Sequence, residues 1–329
     1  MRRWLCLRWL ALVACLPLSG CFNGLLLVPT HVGEPVEETV VTEPRCWLCR
    51  DKVAIIDVSG MILNARSSGL LGDGDNMMSL FRERLDAAER DPRVKAVVLR
   101  VNSPGGAVTA SDIMYHDLMN FRARTGKPVV VCMMDVAASG AFYLAMAADY
   151  VYCHPTTVTG SIGVIMSLYN ASGLAAKIGI TSNPIKSGPI KDIGNPFRDM
   201  TDEEREVLQR LVNSFYDQFV HVVCTGRRLP EDRVRVLADG RVYAGTEAKE
   251  LGLVDEIGYL DDAIRTAMNM AHLCDAKVVA YDRGGGYRGS VYAGMPSIPS
   301  NINIHLDVPG LSHGRGAAFM YVWEPGVVP

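Results

Sequence analysis

The sequence predicts an α/β protein built from repeated βαβ units and finished by C-terminal helices. Three observations carry that prediction. Residues 94–101 form a continuous, valine-rich apolar run, the pattern of a strand buried on both faces of a parallel sheet. Strand-like and helix-like stretches then alternate, as right-handed crossovers between parallel strands require. From Thr201 onward the pattern changes to long amphipathic helix.

Taken in order, residues 53–58 read as a short strand ended by Gly60, and a helix follows over about 76–90 before the Asp91-Pro92 break. The valine-rich strand ends in Asn102-Ser103-Pro104-Gly105-Gly106. A helix over about 111–124, a strand over 128–134, a turn, a helix over 140–148 and short strands around Val151 and Ile162 come next. Thr201-Asp202-Glu203-Glu204 reads as a capping box opening a helix to about Thr225, because the threonine and the glutamate three residues on can satisfy each other's amides. Helices over 246–251 and 261–272 complete this part of the chain.

Arg2, Arg3 and Arg8 precede an apolar stretch over 9–18 and the small-residue site Leu18-Ser19-Gly20-Cys21, the order of an export signal. The ending resembles a bacterial lipobox, which implies cleavage before Cys21 and lipid on its thiol. An uncleaved signal anchor running through residues 25–27, or an ordinary cleaved signal, is the alternative, and all three place the domain outside the cytoplasm, in the cell envelope. Pro29, Pro35, Pro44 and Glu37-Glu38-Thr39 give residues 21–51 the character of a tether. The folded part is therefore expected to start near Lys52. Gly284-Gly285-Gly286, Pro296, Pro299 and Pro309 mark residues 283–329 as a mobile tail. The expected organisation is a signal over 1–20, a tether over 21–51, one catalytic domain over 52–282, and the tail.

A net charge of -3 with 21% charged residues lacks the basic field of a nucleic-acid binder. Nine cysteines are scattered rather than arranged as a scaffold, and Cys46 and Cys49 form a CxxC that no second CxxC or histidine-cysteine cluster accompanies. A local disulfide or free thiols is expected there, not a metal site.

Ser139 lies between a buried strand and the first turn of a helix, where free amides and the helix dipole favour developing negative charge. A plain N-cap would explain serine at that place equally well. Gly105 and Gly106 at a strand end can turn backbone N–H groups inward to form an oxyanion hole, or simply make a tight turn. Ser161, between glycines, can orient a catalytic group or cap a turn. None of the seven histidines sits in a motif that marks it as a triad member, and G-x-S-x-G is absent. Lysine can replace histidine as base when part of it is neutral. Lys186 and Lys191 lie together in an apolar, glycine-containing stretch, and chemistry alone does not choose between them.

Four segments, VNSPGG at 101–106, AASGAFYLAMAAD at 137–149, TGSIGV at 159–164 and KSGPIKDIGNP at 186–196, resemble the motif series of the signal peptide peptidase A family, peptidase family S49, in the same order. The resemblance covers about 52–270. It implies a ClpP/crotonase-like fold and a serine endopeptidase that degrades cleaved signal peptides and other hydrophobic peptides without metal or cofactor. Position by position, it implies Ser139 as nucleophile, Lys191 rather than Lys186 as general base, Ser161 holding that lysine, and Gly105 and Gly106 as the oxyanion segment. Phe142 departs from the glycine or tyrosine often found there. Related double-length proteases carry two copies of the series and pair the serine of one half with the lysine of the other. A single-copy chain is then expected to form a homo-oligomer with shared sites. A catalytically silent scaffold and a crotonase-like acyl-CoA enzyme are the rival readings.

Overall fold

The computed structural model describes residues 35–69, 72–283 and 319–323. The expected signal and Cys21 lie outside them. A nine-stranded sheet runs in the order β1 (Glu37–Thr42), β12 (Lys277–Asp282), β2 (Lys52–Ser59), β5 (Val94–Ser103), β7 (Val129–Ala138), β8 (Tyr150–Cys153), β11 (Glu256–Ile257), with β9 (Val158–Gly160) parallel to the end of β7 and β10 (Val242–Ala244) antiparallel to β9. From β12 to β11 every neighbour is parallel, as the alternation of strands and helices predicted.

The continuous apolar runs have a simple cause: alternate residues of each strand feed two different cores. Ala54, Ile56, Val97, Leu99 and Val131 point to the larger core with α1 (Met77–Arg90), α2 (Val108–Thr125) and α3 (Gly140–Ala145). Val53, Ile55, Ala96, Val98 and Val130 point the other way, onto Leu260, Ile264 and Ala267 of α8 (Leu260–Met270). With both faces buried, truncating Ile55, Ile56 or Leu99 to alanine leaves a cavity costing about 2–5 kcal/mol. The sequence-marked starts are also explained: Asn76 Oδ1 accepts from the amides of Met78 and Ser79, and Thr201 and Glu204 make the expected reciprocal cap of α5 (Asp202–Arg227).

Two segments differ from expectation. Residues 37–42 are an edge strand and not tether: β1 pairs antiparallel with β12, and Glu38 accepts from Lys52 Nζ at 2.6 Å. The folded part thus begins before Lys52, since Lys52 itself is buried between Glu38 and Asp91 and needs both partners. Within the expected tail, β13 (Met320–Val322) pairs antiparallel with β6 (Gly105–Ala107), the segment that carries the glycine pair. The strand expected near Ile162 is β9, a few residues earlier.

Candidate active site

Ser139 is 1% exposed at the junction of β7 and α3, with φ 53° and ψ -114°. A non-glycine residue there is strained by about 1–3 kcal/mol, so the surroundings must hold it. They do so through backbone bonds on both sides: Ser139 N–H donates to Gly160 O at 2.8 Å, and Ser139 O accepts from Tyr143 N–H at 2.8 Å. The parallel register Ala138 with Gly160 fixes the same corner. The side chain makes no cap hydrogen bond, which removes the plain N-cap explanation, and among the described residues the hydroxyl has no hydrogen-bond partner.

Around it the backbone is packed as closely as glycine permits. A Cβ on Gly105, at φ 97°, would lie 2.7 Å from Gly140 N and 3.0 Å from Ala138 O; one on Gly106 would lie 1.9 Å from Ile62 O. Both positions therefore require glycine. The Gly105 N–H donates to Ser103 Oγ at 3.1 Å. Val108 N–H donates to Phe319 O and Trp323 N–H to Pro104 O, so Gly106 and Tyr321, midway between them, are a hydrogen-bonded antiparallel pair. The Gly106 amide is thus the one of the two aimed at a carbonyl.

Ser161 follows directly on the strand that holds Ser139. It is buried at φ 50° and donates its amide to Arg241 O at 2.8 Å. The fold brings Ser139, Ser161, Gly105 and Gly106 into one neighbourhood through the β7–β9 pairing and the α3–β6 approach.

Lys191 is placed differently. It is exposed, in a series of short turns over 188–195 held by Lys191 N–H to Gly188 O, Ile193 N–H to Ile190 O and Asn195 N–H to Asp192 O. Among the described residues, no hydrogen bond or ion pair engages its Nζ or joins it to Ser139 or Ser161. Lys186 Nζ is committed, to Asp192 at 2.7 Å and Pro189 O at 3.0 Å. Asp192 also pairs with Arg198, and Arg198 reaches on to the buried Glu204 at the start of α5. Arg198 and Lys186 hold the Asp192 carboxyl well below the usual range, and Arg198 with the Thr201 amide brings Glu204 down to about 2. This network was not foreseen from sequence; only the capping glutamate was marked.

The same arm is apolar on its outside. Ile165, Tyr169, Leu174, Ile178, Ile180 and Ile185 are exposed, Ile185 fully. A cavity of about 530 Å³ lies between Met166, Tyr169, Asn195, Arg198 and Leu208. Among the described residues no histidine hydrogen-bonds to Ser139, and no group of histidine, cysteine and carboxylate residues could hold a metal.

Sequence comparison places this arrangement among known proteins. The profile of peptidase family S49 matches residues 122–274. A protein of Enterococcus faecium named putative signal peptide peptidase SppA is 38% identical over 230 residues, 70% of this chain and 67% of that protein. The chain belongs to peptidase family S49. It is a serine peptidase with the family's ClpP/crotonase-like α/β fold. A putative protease of Methanocaldococcus jannaschii is 42% identical over 60% of this chain and 63% of its own length. Protease 4 of Salmonella typhi is 35% identical over 67% of this chain but only 35% of its own length. The S49 chain therefore spans about two thirds of the first two relatives and about a third of the last.

Proposed function

We propose that this S49 peptidase is a membrane-anchored endopeptidase with a Ser139–Lys191 dyad, acting on cleaved signal peptides and other extended hydrophobic peptides. The observation that carries the reading is the strained, buried Ser139, its hydroxyl uncommitted beside two glycine-only backbone positions. Strain of that kind persists at sites where geometry is used. Neutral Lys191 takes the Ser139 Oγ proton as Oγ attacks the peptide carbonyl carbon. The Gly106 N–H and its neighbours stabilise the oxyanion, a single such donor being worth about 3–4 kcal/mol. Lysine returns the proton to the leaving amine, and water releases the acyl group from Ser139.

Because Lys191 is exposed and unpaired among the described residues while the arm bearing it is apolar outside, each site is assigned a lysine from a neighbouring copy. Head-to-tail contacts that close into a ring give every serine one foreign lysine. Docking would bury Ile178, Ile180 and Ile185, each worth about 1.5–3 kcal/mol when fully covered. Among the described residues no helix is long and apolar enough to cross a membrane. The anchor proposed is lipid on Cys21, outside those residues, and envelope localisation goes with it. Membership of a peptidase family and a free Ser139 hydroxyl favour this reading over a silent scaffold or an acyl-CoA enzyme.

The test is covalent. The mature protein is incubated with an acyl-ester trap and the modified residue mapped by mass. Label on Ser139 is expected; label elsewhere, or none, sinks the assignment. Membrane partitioning tests the anchor: Cys21→Ser should block fatty-acid incorporation, and unchanged labelling would remove Cys21.

A further inference from the structure

The segment Cys46-Trp47-Leu48-Cys49, which the Ser139 site does not use, is an exposed turn on the chain between β1 and β2. It is closed by Cys49 N–H donating to Cys46 O at 3.0 Å. A four-residue turn closed in this way holds its first and last Cα atoms within about 7 Å, and a disulfide bridges Cα atoms about 4.4–6.8 Å apart. The turn is also fixed from outside. Cys46 N–H donates to Asp275 Oδ2 at 2.7 Å, and Lys277 N–H donates to Asp51 O at 2.9 Å. Two thiols are therefore presented together on a turn tied to the start of β12, with Cys274 next to the tie.

The cysteines of the described residues are free thiols that divide by their surroundings. Burial pushes Cys132 up to about 12 and Cys153 up to about 11, so neither forms a thiolate near neutral pH. Cys46 is exposed and shifted the other way. A hydrogen bond from the Cys49 thiol, and after it the Leu48 N–H, stabilises its thiolate against the opposing effects of burial and the Asp275 charge. Cys49 is half-buried and would forfeit that bond on losing its proton, which together with burial and the charges of Cys46, Cys274 and Asp275 pushes it up to about 11. The two sulfurs are thus unequal: one is favoured as thiolate and the other keeps its proton. Thiolate is the form that attacks a disulfide.

We propose that Cys46 and Cys49 form a disulfide-exchange site, with Cys46 as the attacking sulfur and a low-molecular-weight disulfide as its substrate. In the first step the Cys46 thiolate attacks one sulfur of the external disulfide; a Cys46–sulfur bond forms, the external S–S bond breaks, and one thiolate leaves. In the second, Cys49 gives up its proton and attacks Cys46 Sγ, releasing the other half of the substrate as thiolate. The pair loses two electrons, the external disulfide gains them, and the two protons of the pair end on the two released thiols. Trp47 and Leu48, 88% and 67% exposed, do not fold over the sulfurs. The site is independent of Ser139 and Lys191, and its test does not read peptide hydrolysis.

The experiment follows each cysteine separately. The full chain, reduced and then freed of reductant, is exposed to oxidised glutathione, quenched by alkylation at intervals and mapped by mass. Glutathione should appear first on Cys46 and then give way to a Cys46–Cys49 bridge, with two glutathione thiols released per pair. Cys49→Ser should stop at a stable Cys46–glutathione adduct. In Cys46→Ser, capture at Cys49 should be at least about tenfold slower than capture at Cys46 in the wild type. A thermal melt confirms that each protein is folded, and the wild-type time course decides the matter even where a variant is not. A bridge from either residue to Cys274, first capture at Cys49, separate capture by Cys46 and Cys49 with no bridge, or no reaction of the folded wild-type turn overturns the proposal.

Discussion

The corner that holds Ser139 and the arm that holds Lys191 are built on opposite terms. Ser139 is buried and strained, bonded through backbone to Gly160 and Tyr143, and walled by positions where only glycine fits. Lys191 is exposed on short turns, and its loop is held through Asp192 and Arg198 to Glu204 and by Ala171 N–H to Pro196 O at 2.6 Å. The contrast teaches that the end of β7, held by β9 and walled by the separate Gly105–Ala107 strand, is enough to fix Ser139 and the glycine cradle within one chain. Lys191, the base proposed, rides on an element that sheet does not immobilise, which is what a part delivered to another copy requires.

The largest expected effects are at the corner. Ser139→Ala should lower kcat/KM for peptide hydrolysis by at least about 10⁴-fold, with the melting temperature close to wild type. Ser139→Gly should be equally inactive yet more stable by about 1 kcal/mol, because glycine accepts φ 53° without strain. A Ser139→Gly protein that is less stable than Ser139→Ala would contradict the strain argument. Gly106→Ala should abolish turnover and cost ~2 kcal/mol by driving a methyl into Ile62 O, measured by denaturant unfolding.

Effects on the arm should be large in activity and small in domain stability. Ile185→Asp is expected to leave the melting temperature of the dissociated chain within about 1 °C, since a fully exposed side chain loses nothing. Light scattering should show a smaller assembly and peptide turnover should fall at least about tenfold. An unchanged assembly would remove this apolar face from the interface.

The smallest effect is a pH difference between the two regions. Glu204 is held below its free value of 4.5, down to about 2, so its contribution is complete above pH 4.5 and is lost as pH falls toward 2. Between those values, hydrogen exchange over 186–204 should quicken, while exchange at 137–145, which contains no titratable group paired this way, should not. Equal quickening in both would mean that the arm's ion pairs do not set its stability. Glu204→Gln should reduce the pH dependence, leaving the part carried by Asp192.

The parts most legible in the sequence were those whose cause is local or doubly buried. β2, β5 and β7 announced themselves because both faces meet a core, and α5 because its cap is written in four consecutive residues. β1 was missed because Glu-Glu-Thr-Val-Val-Thr has half-exposed side chains and gains its strand form only from pairing with β12, far along the chain. β13 was hidden for the same reason in a glycine- and proline-rich context, its partner being the Gly105–Ala107 segment. At the site, Ser139 was readable as a cap or a nucleophile from local pattern alone, and the strained backbone with its uncommitted hydroxyl is information only three dimensions carry. Residue chemistry by itself did not separate Lys186 from Lys191, and only the motif resemblance chose Lys191; the ion pair to Asp192 occupies Lys186.

The central claim, a corner completed by a neighbour's arm, is tested most directly by mixing two inactive proteins. Ser139→Ala and Lys191→Ala chains are dissociated together, reassembled, and assayed for peptide hydrolysis, with both variants confirmed in the same assembly. For an equal mixture, each interface has a one-half chance of an intact serine and a one-half chance of an intact lysine, so about a quarter of wild-type activity per site should return. A confirmed mixed assembly with no activity would show that serine and lysine must come from one chain, and would contradict the account.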